Sequence, residues 1–364
     1  MERFDVVVVG GGAMGSAAAW QLSRRGQHVL LLEQFERGHN RGGSHGASRI
    51  FRLAYPEEDY VRLAERALPL WRELEEEAGV ELLAQTGGLD HGLAQSVDLI
   101  ARSLAACGVK FEELDSAEAG RRWPGIRFEG RVLHQPDAGR VNADAAVSAL
   151  QDAATARGAD VRFSAKVESI DETEQFVRVV TQERTFDALV AVVAVGSWAT
   201  KLLPEIPLPR ITVTAEQPAH FRPVDDTVWP SFVHYSPGGD RLHGFGAYGL
   251  ESPGEGVKVG EHGTGPVVDP DARSTDADAA LLERLRRYVV EWLPGLDPAP
   301  VSWTTCLYDS TPTTDFVLDR RGRVVVATGF SGHGFKFVPE VGRVLADLAQ
   351  GDDTSTLPRF RLHR

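Results

Sequence analysis

The stretch VVVVGGGAMG, residues 6–15, decides the fold. Its valine run is continuous and β-branched, which is typical of a strand buried on both faces of a parallel sheet. Gly10, Gly12 and Gly15 follow in the spacing G-x-G-x-x-G, and a run of small residues then predicts a helix. A second apolar run, QHVLLLE, ends at Glu33. The order strand, glycine turn, helix, strand predicts a βαβ unit.

Each part of this unit has a physical reason to hold a dinucleotide. Gly10 permits the tight turn, Gly12 lets the backbone approach a pyrophosphate, and Gly15 allows the helix to pack close to the strand. The helix N-terminus offers unpaired N–H groups to an anion, and Glu33 can accept a ribose hydroxyl. Because Glu33 disfavours a 2′-phosphate, NADP is not expected, but the fingerprint leaves NAD and FAD both open.

Further apolar runs of the same kind lie in the middle and near the end of the chain, at residues 187–195 and 323–328. More polar, Gly- and Pro-rich parts lie between them. The pattern predicts an α/β fold with a discontinuous Rossmann-like nucleotide-binding domain and an inserted α+β domain. The predicted nucleotide-binding domain comprises residues 1–83, 139–208 and 312–364, and the predicted substrate domain comprises residues 84–138 and 209–311.

Charge and cysteine content exclude several classes of protein. With 39 basic and 52 acidic residues, the net charge is −13, which argues against a nucleic-acid partner. The two cysteines, Cys107 and Cys306, are too few for a disulfide framework, so a reducing, cytoplasmic location is expected. No signal peptide or membrane-spanning run is recognisable. The sequence contains neither an HExxH nor a CxxC spacing, so no metal site is predicted.

One short segment concentrates cations in this acidic chain. GSHGASRIFRLAY, residues 43–55, carries His45, Arg49 and Arg52. A solvated surface segment is the ordinary reading of such a charge cluster. The glycine and serine setting and the apolar neighbours indicate burial instead, and buried cations close to a nucleotide fold predict binding of anionic groups.

A second dense segment lies near the C-terminus. ATGFSGHGFKF, residues 327–337, places Gly332, Gly334 and Lys336 directly before a predicted helix. Such a turn brings backbone amides and the positive end of a helix dipole against a ligand. An exposed loop is the alternative, but three phenylalanines in the segment make full exposure costly.

Six motifs occur in one order along the chain: the glycine fingerprint, GSHGASRIFRLAY, RRWPGI, GVKVGEH, CLYDSTP and GFSGHGFKF. Together they resemble the monomeric sarcosine oxidase and N-methyltryptophan oxidase family of flavin amine oxidases, essentially from end to end. The resemblance selects FAD over NAD. It implies an FAD-binding domain that carries a substrate domain with a mixed β-sheet over the flavin, and the family name implies a monomer.

The resemblance also assigns roles to matching positions. Cys306 aligns with the cysteine that bonds covalently to the flavin. Arg52 and Lys336 look like the pair that holds the substrate carboxylate, and Lys258 looks like the lysine that activates oxygen. The other expected catalytic and flavin-supporting residues are Arg49 and His45, the other substrate contacts are Tyr308, His262, His243 and Phe245, and the other cofactor contacts are Met14, Ser44, Val167, Gly332 and Gly334 together with Lys336 and the fingerprint residues.

One function hypothesis follows from the residues and the resemblance together: an FAD-dependent oxidase of secondary amines, such as sarcosine, N-methyltryptophan or pipecolate. A hydride passes to flavin N5, oxygen reoxidises the flavin to give hydrogen peroxide, and the imine product hydrolyses. The alternatives are a D-amino-acid oxidase, an amino-acid dehydrogenase with another electron acceptor, and a non-redox dinucleotide-binding protein. No nucleic acid, membrane or metal partner is expected.

Overall fold

The computed structural model describes residues 2–236 and 245–362. The helices are α1 (Ala13–Arg24), α2 (Glu58–Ala78), α3 (Ala94–Cys107), α4 (Ser116–Arg122), α5 (Ala143–Ala156), α6 (Ala199–Leu202), α7 (Ala279–Trp292) and α8 (Val338–Ala349). The strands are β1 (Glu2–Val9), β2 (Val29–Leu32), β3 (Arg49–Phe51), β4 (Leu83–Ala84), β5 (Gly88–Gly92), β6 (Glu112–Asp115), β7 (Arg131–Gln135), β8 (Gly139–Val141), β9 (Asp160–Arg162), β10 (Val167–Glu172), β11 (Val177–Thr181), β12 (Thr185–Val193), β13 (Thr212–Glu216), β14 (Ala219–Pro223), β15 (Ser231–Tyr235), β16 (Phe245–Ser252), β17 (Gly256–Glu261), β18 (Leu296–Trp303), β19 (Cys306–Ser310), β20 (Val317–Arg321) and β21 (Val324–Thr328).

The first large sheet is built on parallel strands from both ends and the middle of the chain. Its parallel part has the order β9-β2-β1-β12-β21, so that Val8 lies between Leu31 and Val192. The β10–β11 hairpin continues the sheet antiparallel beside β12, and β20 pairs antiparallel with β21. This topology confirms the predicted fold class, a discontinuous Rossmann-like α/β fold.

Burial explains why the valine run forms a central strand. Val7 and Val8 are fully buried in β1 and belong to the two different apolar clusters that cover the faces of the sheet. Burial of one valine side chain stabilises by roughly 1.5–3 kcal/mol. Helices α1, α5 and α8 cover the face of Val8. They pack closely, since a Cβ on Gly342 of α8 would lie 2.6 Å from the carbonyl oxygen of Ala17 in α1.

The second large sheet is mixed, as expected for the substrate domain. Its order is β18-β14-β17-β16-β15-β5-β7-β6, in which β15 and β5 are parallel and the other neighbours are antiparallel. Helix α7 covers one face, where Leu285 and Val289 join an apolar cluster with Phe221 and Phe232. Two small sheets, β13-β19 and β3-β8-β4, complete the fold. The domain boundaries given above stay a prediction.

Three general features bear on function. No helix within residues 2–236 and 245–362 is long and apolar enough to cross a membrane. Over these same two ranges, no group of three or more His, Cys, Asp or Glu side chains is arranged to hold a metal ion. Cys107 and Cys306 are both free thiols.

Candidate active site

A cavity of about 850 Å³ lies between the two large sheets. Part of its lining directly follows β1, β2 and β12, at Gly10, Glu33 and Ala194. Another part comes from the mixed sheet, including Val233 and Lys258. The carboxyl ends of parallel strands are where open α/β sheets bind their ligands, and this volume is within the roughly 300–1,000 Å³ typical of small-molecule and cofactor sites.

The glycine fingerprint forms the tight turn that its spacing predicts. Gly10 has a φ of +101°, and a Cβ there would lie 2.5 Å from the carbonyl oxygen of Ala194. A Cβ on Gly15 would overlap the carbonyl oxygen of Gly10. Glu33 holds the turn, because its carboxylate accepts a hydrogen bond of 2.7 Å from the N–H of Gly11. A side chain at Gly10 or Gly15 would therefore open the turn.

The start of helix α1 has the chemistry of a phosphate cradle. Ala13 N–H donates to Ser44 Oγ at 3.1 Å. A Cβ on Gly12 would lie only 3.2 Å from the same hydroxyl oxygen, so the glycine lets Ser44 approach the start of the helix. Met14 and Val167 also line the cavity. Because N–H groups at a helix N-terminus favour phosphate groups, these residues fit the pyrophosphate of FAD.

Cys306 is buried in β19, and its sulfur lies in the cavity wall beside a cation. The thiol donates to Gly43 O at 3.5 Å. Arg49 Nη2 donates to the sulfur at 3.5 Å and to Gly43 O at 3.1 Å, and Arg49 Nη1 donates to Ser48 O at 2.9 Å. The segment 43–49 thus wraps around the cysteine and holds the guanidinium of Arg49 against its sulfur.

His45 lies behind this cluster and is not among the described residues that line the cavity. Burial, followed by the positive charges of Arg49 and Arg273, lowers the pKa of His45 to about 3. Its Nε2 is buried and has no hydrogen-bond partner within the described part of the chain. The ring is therefore neutral at physiological pH, and its expected supporting role beside the flavin stays a prediction.

Lys258 reaches from β17 of the mixed sheet to the segment that surrounds Cys306. Its Nζ donates to Ser48 O, the carbonyl that Arg49 also contacts. The side chain is buried, and burial together with the charge of Arg49 lowers the pKa of Lys258 to about 7. Lys258 therefore changes its charge near physiological pH.

Only 12% of the Arg52 side chain is exposed, and its guanidinium has its own counterion. Its Nη1 donates to Asp90 Oδ1 at 3.1 Å, to Tyr235 OH at 3.0 Å and to Ala54 O. Asp90 also accepts from Tyr235 OH at 2.9 Å and from Gln135 Nε2 at 3.1 Å. Burial alone would lower the pKa of Arg52, but Tyr235 and Asp90 raise it. Arg52 is therefore positively charged at every physiological pH.

Lys336 starts a chain of hydrogen bonds. Its Nζ donates to Tyr55 OH at 2.9 Å and to His333 O at 2.6 Å. Tyr55 OH lies 3.2 Å from His333 Nδ1, and His333 Nε2 lies 3.1 Å from Thr314 O. Since a carbonyl oxygen only accepts, Nε2 carries the hydrogen and Tyr55 donates to Nδ1. Burial, followed by the charge of Arg52, lowers the pKa of Lys336 well below its ordinary value.

Aromatic residues form the remaining wall. The rings of Tyr308 and His262 are 5.3 Å apart, and Tyr308 shares a hydrogen bond with Tyr248. Gly332 has a φ of +74°, and a Cβ there would overlap the ring of Tyr308. Gly334 also lines the cavity. The glycine turn before α8 thus leaves the room that the Tyr308 ring occupies.

The cavity brings together most of the residues expected from the sequence. Those in its lining are Gly10, Gly12, Met14, Glu33, Ser44, Arg49, Arg52, Val167, Lys258, His262, Cys306, Tyr308, Gly332, Gly334 and Lys336. His243 lies outside the described residues. Phe245 begins β16, but the structure describes only its backbone. The roles of all these residues stay predictions.

Sequence reasoning missed three residues of the site. Asp90 pairs with Arg52, Tyr235 bonds to both of them, and Tyr55 links Lys336 to His333. The one available signal was an acidic residue inside the strand GLDHG. Tyr55 stands inside the segment GSHGASRIFRLAY, but nothing local distinguishes it from a core aromatic residue.

Comparison with known proteins agrees with this geometry. Residues 5–348 match the family DAO, FAD dependent oxidoreductase. The chain is 32% identical to monomeric sarcosine oxidase of Bacillus sp. (strain NS-129), over 100% of this chain and 97% of the relative. It is 32% identical to N-methyl-L-tryptophan oxidase of Salmonella agona (strain SL483), over 100% of this chain and 99% of the relative.

A solved structure shows the same likeness. The open form of NikD, an unusual amino acid oxidase essential for nikkomycin biosynthesis, has a TM-score of 0.87 and 31% identity, and the match covers 99% of this chain and 98% of that one. These findings confirm the resemblance that the six motifs indicate, and with it FAD as the cofactor. The chain therefore belongs to the DAO family of FAD-dependent oxidoreductases.

Proposed function

We propose that the protein is an oxidase of secondary amines that carry a carboxylate, such as N-methyl or cyclic amino acids. The observation that carries this proposal is the placement of two basic side chains, partly buried Arg52 and buried Lys336, in one cavity with Cys306 and Lys258. Guanidinium and ammonium groups bind carboxylates through charge-assisted hydrogen bonds. The relatives support the substrate class, since they are named as oxidases of sarcosine and of N-methyl-L-tryptophan.

The residues around the cavity prepare the amine for oxidation. Bound FAD supplies the two-electron acceptor. Arg52 and Lys336 hold the substrate carboxylate and thereby fix the orientation of the amine. Their positive charges disfavour an additional ammonium group, so they favour the neutral amine, which is the reactive form. Tyr308 and His262 enclose the remainder of the substrate.

Lys258 serves the reoxidation step in this proposal. A buried ammonium group stabilises negative charge that develops on oxygen while oxygen is reduced to hydrogen peroxide. Because the pKa of Lys258 is about 7, the charged form is present at neutral pH and predominates below it. The alternative is transfer of electrons to a carrier other than oxygen, and this reaction does not require Lys258.

We also propose that Cys306 attaches the flavin covalently. Its sulfur lines the cavity beside the guanidinium of Arg49, and a neighbouring cation stabilises the negative charge of an attacking sulfur. Acid precipitation of the purified protein tests this bond, because covalent flavin stays in the pellet. Cys306→Ser is expected to release the yellow colour, whereas Cys107→Ser, the control, retains it. Colour in the wild-type supernatant contradicts the bond but leaves FAD binding intact.

A peroxide assay tests the reaction itself. Sarcosine, N-methyltryptophan, pipecolate and proline are offered in air, with D-alanine as a test for D-amino-acid oxidation. Peroxide from at least one of the four secondary amines is the expected result. Reduction of the flavin without peroxide in air would indicate a dehydrogenase. A protein that no amine reduces would support the non-redox alternative.

The monomeric state and the cytoplasmic location belong to the same proposal. Two free cysteines suit a reducing compartment. Light scattering coupled to size-exclusion chromatography tests the oligomeric state, and a mass near 39.6 kDa is expected for a monomer. A particle of twice this mass contradicts the monomer.

A further inference from the structure

The two cations that face the proposed carboxylate site have different surroundings. Arg52 has a counterion, because Asp90 Oδ1 lies 3.1 Å from its Nη1. Lys336 Nζ donates to two neutral oxygens, Tyr55 OH at 2.9 Å and His333 O at 2.6 Å. Within residues 2–236 and 245–362, no carboxylate oxygen lies within 4 Å of this Nζ. Asp90 therefore pairs with the charge of Arg52, whereas a positive charge on Lys336 would have no such partner among the described residues.

Both cations lie close to the same aromatic ring. Arg52 Cζ is 4.6 Å and Lys336 Nζ is 5.4 Å from the centroid of the Tyr55 ring. The two positive charges consequently repel each other in a buried environment, where water screens them little. Burial also disfavours an ammonium group that has no anionic partner. Geometry and burial thus both favour the neutral amine of Lys336 while the site lacks an anion.

The other titratable groups near this site do not supply that anion. Tyr60, from helix α2, donates to Asp315, and Asp315 is already paired with Arg359 at 2.8 Å. Tyr235 bonds within the pair of Arg52 and Asp90 and carries no charge at physiological pH. Glu57 lines the same cavity, but its carboxylate is more than 4 Å from Lys336 Nζ. A ligand carboxylate is therefore the group that can complete the site.

We propose that a carboxylate ligand enters this site together with one proton, which Lys336 Nζ takes up. This inference rests on the proposed function and deepens it. A simple carboxylate draws the proton from solvent. An amino-acid substrate brings its own proton: one N–H bond breaks on its ammonium group, one N–H bond forms on Lys336, and no electrons are transferred. The substrate is then bound with a neutral amine, the form that oxidation requires, and Lys336 becomes the cation that holds its carboxylate.

The hydrogen-bond chain behind Lys336 suits this exchange. Tyr55 OH accepts from Lys336 and donates to His333 Nδ1, and His333 Nε2 donates to the half-buried Thr314. When Lys336 becomes charged, it polarises the hydrogen bond to Tyr55, which in turn polarises the bond to His333, and neither of these two residues gains or loses a proton. The lysine therefore accepts a proton without a rearrangement of its neighbours.

Calorimetry on the holoenzyme counts the proton directly. Benzoate, which cannot be oxidised here, is titrated at pH 8 in buffers of different ionisation enthalpy, and the slope gives the number of protons bound. About one proton per benzoate is expected, with a dissociation constant that rises about tenfold per pH unit above pH 8. The second probe is 2-aminoisobutyrate, which carries an ammonium group but no hydrogen on its α-carbon. It is expected to bind with about zero net proton uptake, because it supplies its own proton.

Substitutions assign the proton to one group. Lys336→Arg keeps the positive charge but cannot lose its proton, so benzoate is expected to bind without proton uptake and without the pH dependence. Lys258→Arg, which changes the other buried lysine of the cavity, is the matched control and is expected to leave the proton count unchanged. Asp90→Asn is expected to keep the uptake as well. Loss of uptake in Asp90→Asn or Lys258→Arg would overturn the assignment to Lys336.

The outcomes for the wild type separate this inference from the proposed function. Binding of benzoate without a proton and without pH dependence overturns the inference and leaves the carboxylate site intact. No binding of any carboxylate overturns the carboxylate site itself, and the inference with it. Uptake of one proton with 2-aminoisobutyrate shows that the ligand keeps its ammonium proton, and it contradicts the transfer to Lys336. Because the readout is a proton count, none of these results depends on turnover.

Discussion

Replacing Lys258 by methionine should stabilise the protein, and by an amount that depends on pH. The lysine is buried, and its pKa falls from its ordinary value of 10.5 to about 7, mainly because of burial and secondly because of Arg49. In the unfolded chain the lysine regains its ordinary pKa. Between pH 7 and pH 10.5 the folded protein therefore binds fewer protons than the unfolded chain, and the stability of the wild type rises with pH through this window.

The magnitude follows from the two pKa values. Keeping the lysine buried costs about 4 kcal/mol at pH 7, about 2 kcal/mol at pH 9 and less than about 1 kcal/mol at pH 10. Lys258→Met removes this cost at every pH. It also removes the hydrogen bond to Ser48 O, worth about 1 kcal/mol, but that carbonyl keeps Arg49 Nη1 at 2.9 Å. The advantage of the variant should thus be larger at pH 7 than at pH 10 by about 3 kcal/mol.

Urea unfolding of the two proteins at pH 7, 8, 9 and 10 measures this difference. The change of the difference with pH isolates the titration, because altered packing and the lost hydrogen bond contribute equally at each pH. Lys110→Met, at an exposed lysine, is the control and should show no such trend. If the free-energy difference between Lys258→Met and the wild type is flat from pH 7 to pH 10, the depressed pKa of Lys258 is wrong, and with it the reasoning from burial.

Three further predictions concern the turns that shape the cavity. Gly15→Ala places a Cβ on the carbonyl oxygen of Gly10, so the FAD content of the purified protein, measured by absorbance, should fall severalfold. An unchanged FAD content would contradict the close packing of Gly15 against Gly10. Gly332→Ala strains a positive φ and displaces the ring of Tyr308, so the KM for the amine should rise about tenfold, which corresponds to strain of roughly 1–3 kcal/mol. An unchanged KM would mean that Tyr308 does not contact the substrate. Asp309→Asn replaces one oxygen of a buried carboxylate, which accepts from the N–H of Gly329, by an amide nitrogen that cannot accept. Urea unfolding should therefore show a loss of about 1–3 kcal/mol, and a neutral result would mean that the remaining amide oxygen accepts in its place.

The fold could be predicted from the sequence because its signals are local. Strands β1, β2, β12 and β21 each contain a continuous apolar run, and a strand buried in a parallel sheet requires such a run whatever its neighbours are. Helix α2 (Glu58–Ala78) follows from an apolar stripe at helical spacing, since Leu63, Ala67, Trp71 and Leu74 all face the core. The glycine turn is predictable for the same reason, because a Cβ at position 10 would collide with the carbonyl oxygen of Ala194.

The electrostatic pairing in the site could not be predicted in this way. Asp90 is 38 residues from Arg52 and 145 residues from Tyr235, and it meets Tyr235 because β5 and β15 are parallel neighbours. A shift of that register by one residue would turn Asp90 to the other face of the sheet. Single sequences carry no signal for such a register, so the counterion of Arg52 emerges only from the three-dimensional structure.

The position of the cavity between the two ends of the chain has a consequence for biosynthesis. Its lining joins Gly10 to Lys336, and strand β21, which comes late in the chain, completes the parallel part of the sheet beside β12. At about 5–20 residues per second, the ribosome releases the glycine turn roughly 15–65 s before the lysine. From the synthesis of β12 until that of β21, β12 lacks its last parallel partner and exposes unpaired backbone groups. Flavin can therefore meet a complete site only after Lys336 has been made, and the newly made protein passes through a cofactor-free stage on every round of synthesis.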